Sequence, residues 1–167
     1  MRTFSKAMGL AGLRLGYAMT STDLAALLNA AGGPYAVSSV AVALGLIAWN
    51  TWEDRSAYLA RVGAERAVLS RVLRELGAEV LPSEANFVTA RVADAPEARA
   101  ELSRRGIAVR TFPSSVDLSA DLRITLPGDE ASFERLIEAL KRRPELIGPV
   151  PRSAPEPAES RAREVLP

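Results

Sequence analysis

Only two strand-like runs, residues 1–4 and 13–19, stand ahead of the first helical segment. Two strands cannot by themselves make a stable sheet with helices on its faces. This shortage constrains the chain more than any other feature. The front can fold only as part of a larger sheet, and a complete unit has to come from the residues after it. Residues 1–4 read as the end of a strand without its body. Gly9, Gly12 and Gly16 punctuate the connection to the second run. Ser21 and Asp23 can cap a helix whose apolar face is Leu24, Leu27 and Leu28. Gly32-Gly33-Pro34 breaks it. Val40, Leu44 and Ile47 mark one face of a largely buried helix, closed by Trp49 and Trp52, a pair expected to pack in the core. A long amphipathic helix is expected over residues 54–76, with Gly77 just past its end and a solvated stripe of Arg61, Arg66, Arg71 and Arg74.

A second unit then looks complete. Residues 85–92 alternate as a strand. Asp94 and Glu97 resemble a capping box, opening a helix that stops at Gly106. Residues 107–111 and 122–126 are two further short strands. Asp129 starts a last helix with Phe133, Leu136, Ile137 and Leu140 on one side. From Pro144 the chain turns to Pro among Glu, Arg, Ala and Ser, the composition of a disordered tail. The expected organisation is therefore α/β: residues 1–53 a truncated large-domain sheet, 54–143 a small α+β domain with its linking helix, and 144–167 a tail.

Composition narrows the chemistry. The chain has no Cys and no His. Disulfides, thiolate nucleophiles, Ser-His catalysis and the usual zinc ligands are thereby excluded, and no metal site is expected. Its net charge of +1 gives no electrostatic basis for binding nucleic acid or an anionic membrane. The apolar run at 37–47 is too short to span a bilayer, and no signal-peptide core follows Arg2. A soluble, cytoplasmic protein is expected. Of the 21 basic residues, only Lys6 and Lys141 are lysines. An ammonium, unlike a guanidinium, can lose its proton and act as a nucleophile. Lys141 lies at a helix end, where it complements the dipole. Lys6 lies in an apolar, Gly-rich setting that suits a tunable amine. Composition alone leaves open whether it is one or simply a lysine that survived.

The segment Arg2-Thr3-Phe4-Ser5-Lys6-Ala7-Met8-Gly9-Leu10-Ala11-Gly12-Leu13-Arg14-Leu15-Gly16-Tyr17 supplies the context. A lysine at a strand end precedes a Gly-rich turn, with a hydroxyl beside it and an arginine further on. An aldehyde cofactor held as an imine needs the lysine. Its phosphate needs a hydroxyl, backbone N–H groups and a guanidinium. The segment resembles the lysine motif of the fold-type I pyridoxal phosphate (PLP) enzymes, the class I/II aminotransferases. The resemblance implies that Lys6 binds PLP covalently and moves the substrate proton, and that Ser5 and Arg14 hold the cofactor's phosphate.

Further motifs narrow the likeness. Pro34-Tyr35-Ala36-Val37-Ser38 and Pro82-Ser83-Glu84-Ala85-Asn86-Phe87-Val88 resemble runs in the histidinol-phosphate aminotransferases, as do Ile107-Ala108-Val109-Arg110 and Leu122-Arg123-Ile124-Thr125. The likeness covers residues 1–143. By it, Arg123 clamps an amino-acid carboxylate and Arg110 meets the phosphate end of a phosphorylated substrate. For Arg123 the plain alternative is a surface salt bridge on a short strand, and Arg110 too has a structural alternative. Asn86 is either a site residue or a structural turn contact. Tyr35 either reaches the partner subunit's site or packs.

Three departures matter. Met8 stands where Phe is usual, and Leu126-Pro127-Gly128-Asp129-Glu130 alters a Gly-centred turn. The family also has about half its length ahead of the lysine, with a phosphate turn, a ring-stacking aromatic and an aspartate for the pyridine nitrogen. Met1 is accordingly expected to be an internal or misassigned start. The resemblance implies the C-terminal half of a homodimeric enzyme that interconverts histidinol phosphate and its keto partner with glutamate and 2-oxoglutarate. The 167-residue chain is expected to be inactive alone and poorly folded in its first third. A threonine-phosphate decarboxylase shares these motifs. A non-catalytic remnant acting as an interaction domain is the alternative of another class.

Overall fold

A computed structural model describes residues 1–51 and 55–149. Its organising element is a four-stranded antiparallel sheet in the order β3 (Glu79–Val80), β4 (Phe87–Arg91), β6 (Asp121–Thr125), β5 (Arg110–Thr111). Alternation along the two central strands divides the faces. Val88, Ala90, Leu122 and Ile124 are buried toward the helices, while Phe87, Thr89, Arg91, Arg123 and Thr125 take the opposite face. The core joins those four residues to Leu69 and Leu73 of α3 (Ser56–Glu75), Leu102 of α4 (Ala95–Arg104), and Leu136 and Leu140 of α5 (Glu130–Lys141). Each fully buried Leu or Ile contributes about 1.5–3 kcal/mol relative to exposure.

Local chemistry sets the ends of these helices. Asp94 caps α4, accepting from the Glu97 N–H at 3.0 Å. Asp129 caps α5, accepting from the Ser132 N–H at 2.9 Å. The capping box expected at Asp94 is only half made. Glu97 turns to Arg104, and the Asp94 N–H donates to the Leu146 carbonyl at 3.2 Å. Gly77 and Gly106, at φ 98° and 72°, end α3 and α4 in matching Schellman turns. The Ala78 and Ile107 N–H groups reach back to the Leu73 and Leu102 carbonyls at 3.0 and 2.9 Å.

The small domain extends beyond the expected boundary at residue 143. Pro144–Ile147 forms a further helix, α6, with Pro at its start. Leu146 and Ile147 are buried against α4 and α5. These two side chains override the Pro-rich composition that marked the tail from 144. The rest of the expected tail, from residue 150, lies outside the described residues.

The first third is built differently. β1 (Arg2–Thr3) and β2 (Gly16–Tyr17) form an antiparallel pair. The strand expected at 13–19 is shorter because Ala11–Leu13 makes a 3₁₀ turn and Arg14 adopts a left-handed conformation at φ 52°. Next come α1 (Thr22–Ala31), capped by Ser21, and α2 (Ser39–Asn50), capped by Ser38. The face of α2 that packs inward is Ala41, Gly45 and Ala48, not Val40, Leu44 and Ile47, which are exposed. Small residues admit the close approach of Phe4 and Leu15. A Cβ on Gly45 would lie 2.3 Å from Leu15 Cδ2. Trp49 is also exposed, with the Tyr17 ring edge-on to it, and Trp52 lies outside the described residues. Among the described residues, no helix is long and apolar enough to cross a membrane.

Candidate active site

The Lys6 loop is a closed piece of backbone hung on the β1–β2 ribbon. The Phe4 N–H donates to the Leu15 carbonyl, and the Phe4 carbonyl accepts from Leu10, each at 3.0 Å. Gly9, at φ 67°, turns the chain so that its N–H meets the Lys6 carbonyl at 2.9 Å. The Ser5 N–H donates to Thr3 Oγ1 at 3.1 Å. Phe4 and Met8 are buried from below with Ala48. Met8 therefore fills the interior position that an aromatic would take, and this departure is a packing exchange.

Lys6 itself is exposed and lines a concavity of about 870 Å³ with Met1, Thr3, Phe4, Tyr17 and Trp49. Ser5 and Arg14 line an adjoining concavity of about 370 Å³. Both hollows share Met1, Arg2, Thr3 and Tyr17, so they flank the same ribbon. Arg14 donates to the Ala11 carbonyl at 3.1 Å and makes no ion pair among the described residues. An amine, a hydroxyl and a guanidinium without an ion-pair partner among the described residues, all in the connection between β1 and β2, fit the aldehyde and phosphate ends of a PLP-type cofactor. Neither hollow is lined by a carboxylate that could meet a ring nitrogen.

Arg110 and Arg123 lie directly opposite each other in the β5–β6 ladder. Neither forms an ion pair with a carboxylate among the described residues. The Arg123 guanidinium rests over the Phe87 ring at 5.0 Å, and that of Arg110 over Phe112 at 5.4 Å. Arg123 Nε is buried without a partner. A surface salt bridge, the plain alternative for Arg123, is thus not what the structure holds. Neither the Lys6 hollow nor the Ser5–Arg14 hollow reaches these two arginines.

The remaining candidates divide. Asn86 is half-buried, and its carbonyl accepts from the Leu126 N–H at 2.9 Å, a structural link between the strand-end loops. α3 fixes the same loops through Arg66, which donates to the Ala85 carbonyl at 3.0 Å, and Glu65, which accepts from the Gly128 N–H at 2.9 Å. Arg66 is accordingly drawn out of the solvated stripe expected for it. Tyr35 is 98% exposed at φ 62°, so it does not pack within the described chain. No motif in the sequence singles out Phe112 or the Arg91–Asp121 pair, and Phe87 lies within the Pro82–Val88 run without a role of its own there. Strand alternation from Val88 and Ala90 would have placed Phe87 and Arg91 on the face that carries Arg123.

Residues 1–140 match the family model for aminotransferase class I and II. The chain belongs to that family, and its fold is that of the fold-type I enzymes. It is 38% identical over 143 residues to histidinol-phosphate aminotransferase 1 of Dechloromonas aromatica, with 84% of this chain and 38% of that protein covered. It is 43% identical over 143 residues to the histidinol-phosphate aminotransferase of Nitratidesulfovibrio vulgaris strain Hildenborough, with the same coverage. Among solved structures, it matches histidinol-phosphate aminotransferase from Sinorhizobium meliloti in complex with pyridoxal-5'-phosphate. That match has a TM-score of 0.69 and 29% identity, covering 87% of this chain and 40% of the other. L-threonine-O-3-phosphate decarboxylase from Porphyromonas gingivalis matches with a TM-score of 0.68 and 26% identity, covering 84% and 44%. The chain spans about two fifths of the length of these curated relatives.

Proposed function

We propose that this chain carries the lysine and substrate-arginine part of a PLP-dependent aminotransferase acting on histidinol phosphate and 2-oxoglutarate. It would work in the cytoplasm, as a homodimer in its full-length form. The observation that carries the reading is the pair of guanidinium groups at Arg110 and Arg123, paired with no carboxylate among the described residues and set opposite each other across two strands. Such a pair can take the carboxylate of one substrate and the phosphate of the other in turn. Bidentate pairing at Arg123 would orient the substrate for proton removal. Asn86 would line the site beside it, and the exposed Tyr35 would reach the partner subunit's site.

PLP, when bound, supplies the electron sink for the reaction. Ser5 would donate to its phosphate, and Arg14 would pair with it. Lys6 would hold its aldehyde and then move a proton at Nζ. The chain contains one other lysine, Lys141, on an exposed helix end, which makes an internal control. The test is to add PLP, reduce with borohydride and map the labelled peptides. Label on Lys6, lowered by Arg14→Ala, is the expected result. Equal labelling of Lys6 and Lys141 would favour the non-catalytic remnant.

The threonine-phosphate decarboxylase reading stands beside this one, because the two folds match almost equally well. Parallel assays of the full-length enzyme with histidinol phosphate plus 2-oxoglutarate, and with threonine phosphate, separate them by product.

A further inference from the structure

We infer that Arg91 and Phe87 are positioning residues that keep the Arg123 guanidinium free for an anion, by holding Asp121 and Arg123 apart. This rests on the reading of Arg123 as the substrate's carboxylate clamp. Asp121 and Arg123 follow each other on one face of β6, close enough for the long arginine side chain to reach the carboxylate. A guanidinium already paired with a carboxylate is a poor receptor for another.

The structure keeps them separate from both sides. Asp121 is 1% exposed and lies opposite Arg91 in the β4–β6 register. Arg91 Nε donates to Asp121 Oδ1 at 3.1 Å. A second bond, from Arg91 to the Asp117 carbonyl at 3.1 Å, anchors the guanidinium there. Arg123 leans the other way, onto Phe87, which lies opposite Thr125 and so beyond Arg123 from Asp121. Arg123 is left beside Arg110, a like-charge pair directly across a ladder and destabilising by itself. An anion relieves that repulsion. Without Arg91, the buried Asp121 carboxylate would lose its counter-ion, and the two arginines on the same face would become its partners.

The test titrates the 167-residue chain with glutarate, a dicarboxylate lacking a reactive carbonyl. Binding is followed by the NMR signals of the arginine Nε–H groups and by calorimetry. Arg123→Met should abolish binding. Arg91→Met should weaken it at least about fivefold, and Arg91→Met/Asp121→Asn should restore it to within about twofold of the parent. Asp121→Asn alone should bind as well as the parent or more tightly, which a purely structural ion pair would not predict. Should Arg91→Met fail to fold, the single Asp121→Asn variant and the double variant still decide. Loss of binding in Asp121→Asn, or no recovery in the double variant, overturns the proposal. No glutarate binding by the parent, or unchanged binding in Arg123→Met, overturns the clamp reading itself and the proposal with it.

Discussion

Gly12, in the 3₁₀ turn, and Gly16, at the start of β2, should respond oppositely to a methyl group. A Cβ on Gly16 would sit 2.7 Å from the Arg2 carbonyl oxygen, a backbone atom held by the β1–β2 pairing. It cannot give way without opening the ribbon that carries Lys6. A Cβ on Gly12 meets nothing within 4 Å. Gly16→Ala should therefore sharply reduce PLP labelling of Lys6, while Gly12→Ala should leave it near the parent level. Borohydride trapping and peptide mapping read both. Much of this loop was legible in the sequence, because Ser5, Lys6, Gly9 and Arg14 occur in a long ordered run. The aromatic rests beneath Arg110 and Arg123 were less so. Phe87 meets Arg123 through cross-strand register, which is fixed by pairing with strands elsewhere in the chain, whereas Phe112 lies two residues on from Arg110 along the same segment.

Helix ends provide the sharpest tests at the scale of elements. Gly77 and Gly106 both hold positive φ, but only Gly77 is also crowded, with a Cβ there 2.9 Å from Pro149 Cδ. Gly106→Ala should cost about 1–2 kcal/mol, the left-handed strain alone. Gly77→Ala should cost more, because strain and a clash with the segment after α6 add. Denaturant melts of the two variants measure the difference. At the start of α5, the Ser132 backbone N–H, with help from the Ser132 hydroxyl, holds the Asp129 carboxyl below its ordinary range. A lowered folded-state pKa stabilises above the unfolded value, and that stability disappears as pH falls through the folded one. Asp129→Asn keeps a good cap, so it should leave neutral stability almost unchanged and flatten the acid limb of a stability–pH curve. The caps at Ser21, Asp94 and Asp129 could be read directly, since capping is local chemistry. The inward face of α2 could not. That helix is apolar all round, so its periodicity does not choose a face. The approach of Phe4 and Leu15 chooses the side of small residues.

At the scale of the whole chain, the two hydrophobic clusters are very unequal. One ties α3, α4, α5, α6 and the four-stranded sheet together; the other is Phe4, Met8 and Ala48 with two flanking leucines. Leu24, Leu27 and Leu28 of α1 are all exposed, as are Val40, Leu44, Leu46 and Ile47 of α2. A two-stranded ribbon with so little buried apolar surface has little to offset the entropy of ordering its residues. The small domain has a complete core and closed helix ends. Stability should then be graded along the chain rather than uniform. In native-state hydrogen exchange, the amides of β4, β6 and α3 should exchange only through global opening. Those of α1, α2 and the Lys6 loop should exchange far faster. Limited proteolysis should cut first within residues 20–50 and leave a resistant fragment beginning near α3. Uniform protection across residues 1–149 would show instead that the β1–β2 ribbon and α2 draw stability from the small domain.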